Sequence, residues 1–365
     1  MDKELKLPIY ANAAYLFISL LAFITILYLA QSIIIPLVFA TIIAIVLHPI
    51  VNLFVKLKIN RLLSILITLS LTFIIFIGFT TLLISQLSRF SESWPLLTER
   101  FNAMIDLLII GASAYFDINT KSILEWIAKI SEEIIKMSSA AIGQTLVILG
   151  SGLVIIFLIP VYIFMILFYQ PLLRDFIYKV FSKKNQISVA KIVSQIKLVI
   201  QQYLIGLIIE FVMVAILNTL ALILLGIEYA ILLGIIGALL NIIPYLGGII
   251  SVALFMLVAF VTKSPEYVIY VVGAYSLIQF IDNNYIVPKI VASKVKINAL
   301  FSIIVVIAGN ALWGVSGMFL SIPLLAILKL IFDHVESLKP WGFLLGDTMP
   351  SQIKIKHKYK RDRAG

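Results

Sequence analysis

The sequence predicts an all-α, polytopic integral membrane protein with about eight hydrophobic segments, two of them broken or re-entrant, and a small helical external insertion. Of its 365 residues, 62% are hydrophobic and 13% charged, whereas soluble domains are nearer half apolar and a quarter charged. Two uncharged stretches, 229–262 and 297–328, are each too long for one untilted crossing. Pro or Gly interrupts both near the middle, a pairing typical of the binding site of secondary transporters.

The N-terminal part, residues 1–88, is predicted to hold the first three membrane spans. No charged residue occurs from Leu7 to Val55, which suits two helices joined by a tight turn, and residues 62–88 are again uncharged. Lys56, Lys58 and Arg61 lie between spans two and three. The positive-inside rule places this basic loop, and with it the N-terminus, in the cytoplasm.

Residues 89–136 differ because charges of both signs return and apolar residues recur at helical spacing. Trp94-Pro95 and Gly111 punctuate the stretch. We expect a soluble external module of two or three amphipathic helices. Such a module could gate a pore or pack against lipid or a neighbouring subunit, and amphipathic stripes ordinarily serve packing.

The next segments return the chain to the cytoplasm and lead to the core. Residues 137–173 are uncharged and predict a fourth span, kinked at Pro160. Residues 174–197 carry six basic residues against Asp175 and predict a basic cytoplasmic linker lying on the membrane. Residues 198–332 form the predicted transport core. Residues 333–365 form a basic cytoplasmic tail.

Two topologies of the core remain open. If 229–262 crosses once, Lys289, Lys294 and Lys296 lie outside the cell. If both broken stretches are hairpins that dip in and return, these lysines are cytoplasmic, as the positive-inside rule favours, and the core becomes an inverted repeat. Both topologies leave the C-terminus in the cytoplasm.

Three blocks of the C-terminal half carry a family resemblance. Residues 241–248, residues 279–289, and the run from Asn298 through Trp313-Gly314 to Pro323, with 339–346 behind it, resemble the autoinducer-2 exporter family of bacterial membrane transporters. Many members carry histidine where Asn298 stands and proline where Ala299 stands. That departure puts a proton step at Asn298 in doubt.

The resemblance implies a polytopic carrier of the bacterial inner membrane with a soluble insertion after its third span. It also implies a homo-oligomer, with a pentamer expected. Members of the family are associated with export of a quorum-sensing furanosyl signal, and others with sodium/proton exchange. The implied partners are therefore a small polar solute, a proton or sodium ion, and membrane lipid.

Two carboxylates are the candidates for ion coupling. Glu210 lies near the middle of the fifth span, where a charged group is costly and should face a cavity or a partner. Asp282 begins an Asp-Asn-Asn run near the end of a later span. The alternatives are a protonated Glu210 that only ties two helices together, and an Asp282 that pairs with Lys289 at the membrane surface.

Four amides are candidates for binding a polar solute: Asn241, Asn283, Asn310 and Gln279. The alternative for Asn241 and Asn310 is to replace backbone hydrogen bonds lost at the breaks, and for Gln279 a simple hydrogen bond between helices. The predicted helix breaks themselves are Pro244, Gly247, Gly248, Gly309, Gly314, Gly317 and Pro323. These residues would let the backbone unwind beside a bound solute. Their alternative role is close packing between helices.

Other classes of function find little support in the sequence. Without cysteine there are no thiolate metal sites, and the three histidines have no partners at metal-ligand spacing, so we expect no metal and no cofactor. We find no nucleophile–base pair at membrane depth, so the sequence does not predict an enzyme. The basic segments flank spans, which favours lipid over nucleic acid as their partner. A non-transporting membrane organiser, binding a partner through 89–136, remains the alternative to a carrier.

Overall fold

The computed structural model describes residues 8–116, 153–183, 185–243, 246–292 and 297–347. Within these ranges the chain is helical apart from turns and one isolated antiparallel bridge between Ile297 and Gly346. This confirms the all-helical class. Four of the described helices are long and apolar enough to cross a membrane, or five if one bent pair counts as a span. The total of about eight hydrophobic segments stays a prediction.

The N-terminal half contains five described helices. They are α1 (Ile9–Leu29), α2 (Gln31–Lys56), α3 (Arg61–Phe116), α4 (Leu153–Phe168) and α5 (Gln170–Val180). The chain bends by 64° between α4 and α5. Buried Ala40 and Ala44, four residues apart on α2, allow close packing against Ile65 of α3 and Ile163 of α4.

The long helix α3 continues past residue 89, where we predicted the external insertion to begin. It continues through Trp94-Pro95 and Gly111 to Phe116 as a single 56-residue helix. The return of charge at residue 89 changes the surface of this helix without ending it. The rest of the insertion, residues 117–136, lies outside the described residues, as does the first part of the fourth predicted span.

The C-terminal half begins with α6 (Gln186–Leu224), whose first turns lie within the predicted cytoplasmic linker. It is followed by α7 (Ala230–Asn241), α8 (Leu246–Thr262), α9 (Pro265–Ile281) and a π-helix (Asp282–Ala292). The last elements are α10 (Ala299–His334), a short 3₁₀ turn (Glu336–Leu338) and α11 (Lys339–Leu345).

The broken stretch 229–262 folds back on itself, and we call α7 and α8 the first hairpin. The Ser251 hydroxyl donates to the Gly237 carbonyl at 3.2 Å. In a continuous helix these residues would lie about 21 Å apart. A Cβ added at Gly226, before the hairpin, would lie 3.2 Å from the Lys263 ammonium after it, so the two ends of the hairpin meet.

The second stretch also folds back, although α10 is long enough to pass for one crossing. Its helix is interrupted by non-helical backbone at Trp313 (φ −137°, ψ 18°) and Gly314 (φ 60°, ψ −142°). The Ser321 hydroxyl donates to the Val305 carbonyl at 2.8 Å, whereas a straight helix would separate them by about 24 Å. We call the two arms, 299–312 and 315–334, the second hairpin.

The ends of the second hairpin are held by α11. The Asn298 amide N–H donates to the Leu345 carbonyl at 3.0 Å, and Gly342 packs on Asp333 at the end of the second arm. Of the two topologies that the sequence left open, the structure therefore has the hairpins. The first hairpin packs on α6 and α9 around Phe255, and the second packs with α2, α6 and the π-helix around Leu320.

Candidate functional site

One face of α6 supplies the first carboxylate of the site. The buried residues of this helix lie along one side, with steps of three or four positions from Tyr203 through Leu207, Glu210, Val214 and Asn218 to Leu222, and with Ile200, Leu204 and Gly206 beside them. Glu210 is only 6% exposed within this apolar row. The helical repeat therefore points its carboxylate at the first hairpin and at α9, the elements that pack on α6.

The first hairpin delivers an amide to that carboxylate. Asn241 is the last residue of α7 and stands where the chain leaves the helix for the turn. Its Nδ2 group donates to Glu210 Oε1 at 3.3 Å and to Asp282 Oδ2 at 2.9 Å. Its Oδ1 atom accepts from Gln279 Nε2 at 3.1 Å. The four side chains form one network, which we call the polar cluster.

Asp282 lies deep in the protein, at the junction of α9 and the π-helix. It is 1% exposed, and its Oδ1 atom has no hydrogen-bond partner among the described residues. It is not at the surface beside Lys289, whose ammonium lies 5.9 Å from the centroid of the Tyr285 ring. Burying a carboxylate oxygen without a hydrogen-bond partner costs free energy, and a bound cation or proton would reduce that cost.

A glycine brings the π-helix close to α6. A Cβ at Gly206, one turn before Glu210, would lie 2.7 Å from the Ile290 carbonyl oxygen. Real Cβ atoms do not approach a backbone oxygen this closely, so a side chain here would push the π-helix away. Gly206 thus helps to hold the segment that begins at Asp282 against α6.

Two of the predicted amides lie outside the polar cluster. Asn283 is exposed on the π-helix, because its side chain points about a quarter turn or more away from its neighbour Asp282. Asn310 is exposed on the first arm of the second hairpin. Of the candidates for ion coupling and for solute binding, the structure brings Glu210, Asp282, Asn241 and Gln279 together.

The glycines among the predicted breaks lie in different places. Gly314 stands in the break of the second hairpin with the positive φ of 60°, which glycine adopts without strain. Gly247, Gly309 and Gly317 instead lie where the arms touch, since a Cβ on any of them would overlap a facing backbone carbonyl. Gly248 lies in the first turn of α8 beneath Gln279 and Tyr275.

Two predicted breaks have other outcomes. Pro323 is buried inside the second arm, and the helix continues through it. Pro244 lies outside the described residues. The kink in the second hairpin is therefore at Trp313 and Gly314, nine residues before Pro323.

Two serines that the sequence analysis did not single out fasten the hairpins in the same way. Ser251 donates to the Gly247 carbonyl one turn back at 2.7 Å and to Gly237 on the facing arm. Ser321 donates to Gly317 one turn back at 2.6 Å and to Val305 on the facing arm. The shared spacing, Gly followed by Ser four residues later, was a signal available in the sequence.

The polar cluster has the chemistry of a site for a proton or a monovalent cation. Both carboxylates reach the same amide nitrogen, so the two bonded oxygens are roughly 6 Å apart at most. A cation between them, or a proton on either carboxylate, would compete with the bonds from Asn241. No group of three or more His, Asp or Glu side chains suited to a metal occurs among the described residues.

Comparison with known proteins adds the family. A profile of the AI-2E family transporters matches residues 17–337, nearly the whole chain. The chain belongs to the AI-2E family. This confirms the resemblance drawn from residues 241–248 and 279–289. The description of that family names it a family of transporters.

Individual relatives are similar over shorter lengths. "Putative transport protein YrrI" of Bacillus subtilis (strain 168) is 34% identical over 109 residues, which are 30% of this chain and 31% of that protein. "Putative transport protein YueF" of the same organism is 30% identical over 113 residues, 31% of this chain and 30% of its own length. A "Putative transport protein" of Borreliella burgdorferi is 26% identical over 123 residues, 33% and 34% of the two chains. The matches thus span about a third of each curated AI-2E relative.

Proposed function

We propose that this AI-2E family member is a secondary transporter that exports a small polar solute and couples the movement to an ion gradient. The polar cluster is the proposed coupling site, with Glu210 and Asp282 as the ion-binding groups. The observation that carries the proposal is the contact of one amide, Asn241, with both buried carboxylates. The solute is expected to resemble the furanosyl signal associated with the family.

The energetics of burial support a functional role for the cluster. Removing a carboxylate from water costs several kcal/mol, and a hydrogen bond to one shared amide returns only part of it. Apolar side chains at positions 210 and 282 would pack at lower cost. A pair of buried acids that weakens the fold is therefore better explained by ion binding than by structural need.

The hairpins supply the proposed movement. Asn241 stands at the tip of the first hairpin, whereas Glu210 and Asp282 belong to α6 and the start of the π-helix. A small displacement of the tip would withdraw the amide from both carboxylates and open them to water or a cation. Ion binding would then favour the displaced state, which is how a ligand shifts a conformational equilibrium. The second hairpin, of opposite orientation in our proposal, would serve the other face.

Flux through proteoliposomes tests the proposal. We expect efflux of a loaded furanosyl solute to rise when a proton or sodium gradient is imposed. In Glu210→Gln and Asp282→Asn the gradient should no longer increase efflux, because an amide neither exchanges a proton nor neutralises a cation. The unfolding midpoint of Glu210→Gln should be unchanged or higher, since a buried charge is removed while the bond to Asn241 is kept.

The matched control is Glu228→Gln, an exposed acid in the loop between α6 and α7. It should keep wild-type flux. Gradient-driven flux that survives in both cluster variants would remove the polar cluster from the mechanism. Loss of flux in Glu228→Gln as well would show that the effect does not depend on position.

A sodium/proton antiporter is the second candidate. It is favoured by the Asp282 Oδ1 atom, which is buried and has no described partner, because a small cation could bind there without any organic solute. Vesicles without solute discriminate the two. An antiporter would acidify or alkalinise the lumen on addition of sodium alone, whereas a solute exporter requires the loaded cargo.

We further propose that the protein lies in the bacterial inner membrane with both termini in the cytoplasm. The supporting feature is the position of the basic segments, which adjoin the ends of α2 and the start of α6. We also propose a homo-oligomer, a pentamer by family resemblance. Native mass spectrometry would test it, with five copies of the 40.8 kDa chain expected.

A further inference from the structure

A second polar feature lies about 20 Å from the polar cluster, toward the start of α6. A cavity of about 550 Å³ opens between α2, the start of α3, α5 and the first turns of α6. Four basic side chains line it: His48, Arg61, Arg174 and Lys197. We call this cavity the basic pocket. The mechanism proposed above uses none of these residues.

The charges of the basic pocket are unbalanced. None of the side chains that line it is an aspartate or a glutamate. Asp175 lies outside the lining and approaches the Arg174 guanidinium at 3.7 Å, but both side chains are more than half exposed, so this ion pair is weak and readily exchanged. The three Arg and Lys charges therefore face a common space without a carboxylate inside it.

Two donors of the basic pocket, Arg61 and Lys197, are fixed by hydrogen bonds and still have N–H groups that can donate to a ligand. Arg61 Nη2 donates to the Leu167 carbonyl at 2.8 Å and to Gln170 Oε1 at 3.0 Å, which leaves its other guanidinium N–H groups. Lys197 Nζ donates to His48 Nδ1 at 2.8 Å and has two further N–H groups. A fixed guanidinium beside an ammonium is the arrangement that binds phosphate oxygens.

The position of the basic pocket favours a lipid headgroup over a soluble compound as the source of the phosphate. Arg61 is the first residue of α3, and His48 lies near the end of α2, so the pocket is at helix ends, where lipid headgroups lie. Its outer wall is α5, which turns by 64° from α4 and exposes Leu172, Phe176 and Val180. Such a helix lies along a membrane surface, with its apolar side chains among the acyl chains.

We propose that the basic pocket binds the phosphate of an anionic phospholipid. The phosphate would accept hydrogen bonds from Arg61, Arg174 and Lys197. The acyl chains would leave past Leu173 and Ile177, the apolar residues of α5 that line the same cavity. This site tethers α5 to α2, α3 and α6 through a bound lipid, and it does not depend on the identity of the transported solute.

Lipid titration of the purified, delipidated full-length chain tests the proposal by native mass spectrometry. We expect one phosphatidylglycerol per chain to bind at least about tenfold more tightly than phosphatidylcholine, and the preference to weaken with added salt. In Arg174→Gln with Lys197→Gln, phosphatidylglycerol should bind about tenfold or more weakly. The control is Lys179→Gln with Lys191→Gln, which removes two exposed charges outside the pocket and should leave binding unchanged.

A single variant and a competition experiment complete the test. Arg174→Gln alone changes an exposed side chain, so it tests the site even if the double variant fails to fold. Equal affinity for the two lipids, or unchanged binding in Arg174→Gln and in the double variant, would overturn the proposal. Displacement of the lipid by an equal concentration of glycerol phosphate would also overturn it, because a soluble phosphate ester would then be the ligand.

Discussion

At the scale of single residues, the polar cluster depends on one amide. Asn241→Ala removes the donor from both carboxylates and leaves Asp282 buried without a described partner. We expect the free energy of unfolding to fall by about 1–3 kcal/mol, the cost of an unsatisfied buried polar group. Denaturant unfolding in detergent micelles would measure it.

The control for this prediction is Asn283→Ala, an exposed asparagine on the neighbouring π-helix, for which a change within about 0.5 kcal/mol is expected. In Glu210→Gln/Asn241→Ala the loss caused by Asn241→Ala should be smaller than in the wild type, because a neutral amide and not a carboxylate then lacks the Asn241 donor. If Asn241→Ala is as mild as Asn283→Ala, the cluster is not an energetically coupled unit.

The sequence identifies only some residues of the polar cluster, namely those whose burial in an apolar stretch would cost free energy. Glu210 and Asp282 stand out because an acid within an apolar stretch requires an explanation. Asn283 does not share the site of Asp282, because adjacent helical residues point in different directions, and the turn of a π-helix is not evident from composition. Ser251 and Ser321 escape notice because isolated serines are ordinary in membrane helices.

At the scale of elements, glycines hold the hairpin arms together. We expect Gly247→Ala and Gly317→Ala each to lower the free energy of unfolding by about 1–3 kcal/mol, because the added Cβ would overlap the Leu240 or the Gly309 carbonyl and force the arms apart. The same unfolding measurement applies, together with hydrogen exchange of the two hairpins.

Gly273→Ala supplies the comparison, since a Cβ at this position of α9 meets nothing within 4 Å. It should be neutral or stabilise the chain by up to about 1 kcal/mol, the helix propensity difference between the two residues. Equal destabilisation by all three substitutions would mean that the close approach of the arms is not what the glycines serve.

The sequence indicated that both long stretches are interrupted, but it did not specify the reversal of direction or which of the Pro and Gly residues stand at the break. Pro and Gly within long apolar stretches mark interrupted helices by local chemistry alone. Whether the chain then continues or returns depends on contacts between residues 14 to 16 positions apart, such as Ser251 with Gly237 and Ser321 with Val305. Charge bias favoured the hairpins, and the spacing of Gly and Ser marks the two serines without specifying which residue of the facing arm each contacts.

At the scale of the whole molecule, the hairpins fix which loops share a side of the membrane. The chain contains no cysteine, so single cysteines can be introduced without background. Glu228→Cys and Ser264→Cys, at the two ends of the first hairpin, should react with a membrane-impermeant maleimide added to the same side. Lys56→Cys should react only from the opposite side, because α6 crosses the membrane between these loops.

A single crossing by 229–262 would give the contrary pattern, with Glu228→Cys and Ser264→Cys labelled from opposite sides. Lysed cells, in which all three positions should react, control for accessibility. The test depends on the loops alone and leaves the polar cluster intact.

The overall class could be predicted from the sequence because hydrophobic content and uncharged length are global properties. The ends of the helices could not, and the predicted limits of the membrane-embedded and soluble parts stay predictions. Charges at residue 89 and at residue 174 mark where the chain meets water, and water exposure does not end a helix. Consequently α3 runs past the first boundary, and α6 begins ahead of the predicted core.

The length of α3 has a mechanical consequence. A helix of 56 residues is about 84 Å long, roughly twice the thickness of a bilayer with its headgroups. Its far half contacts the base of the first hairpin, where Phe90 packs against Tyr229 and Phe101 against Phe260. Because Phe90 and Phe101 lie on one helix, a shift of α3 would reach both arms of the first hairpin, including the start of the arm that carries Asn241. The contacts of α3 thus join its far half to the hairpin whose Asn241 bonds both buried carboxylates.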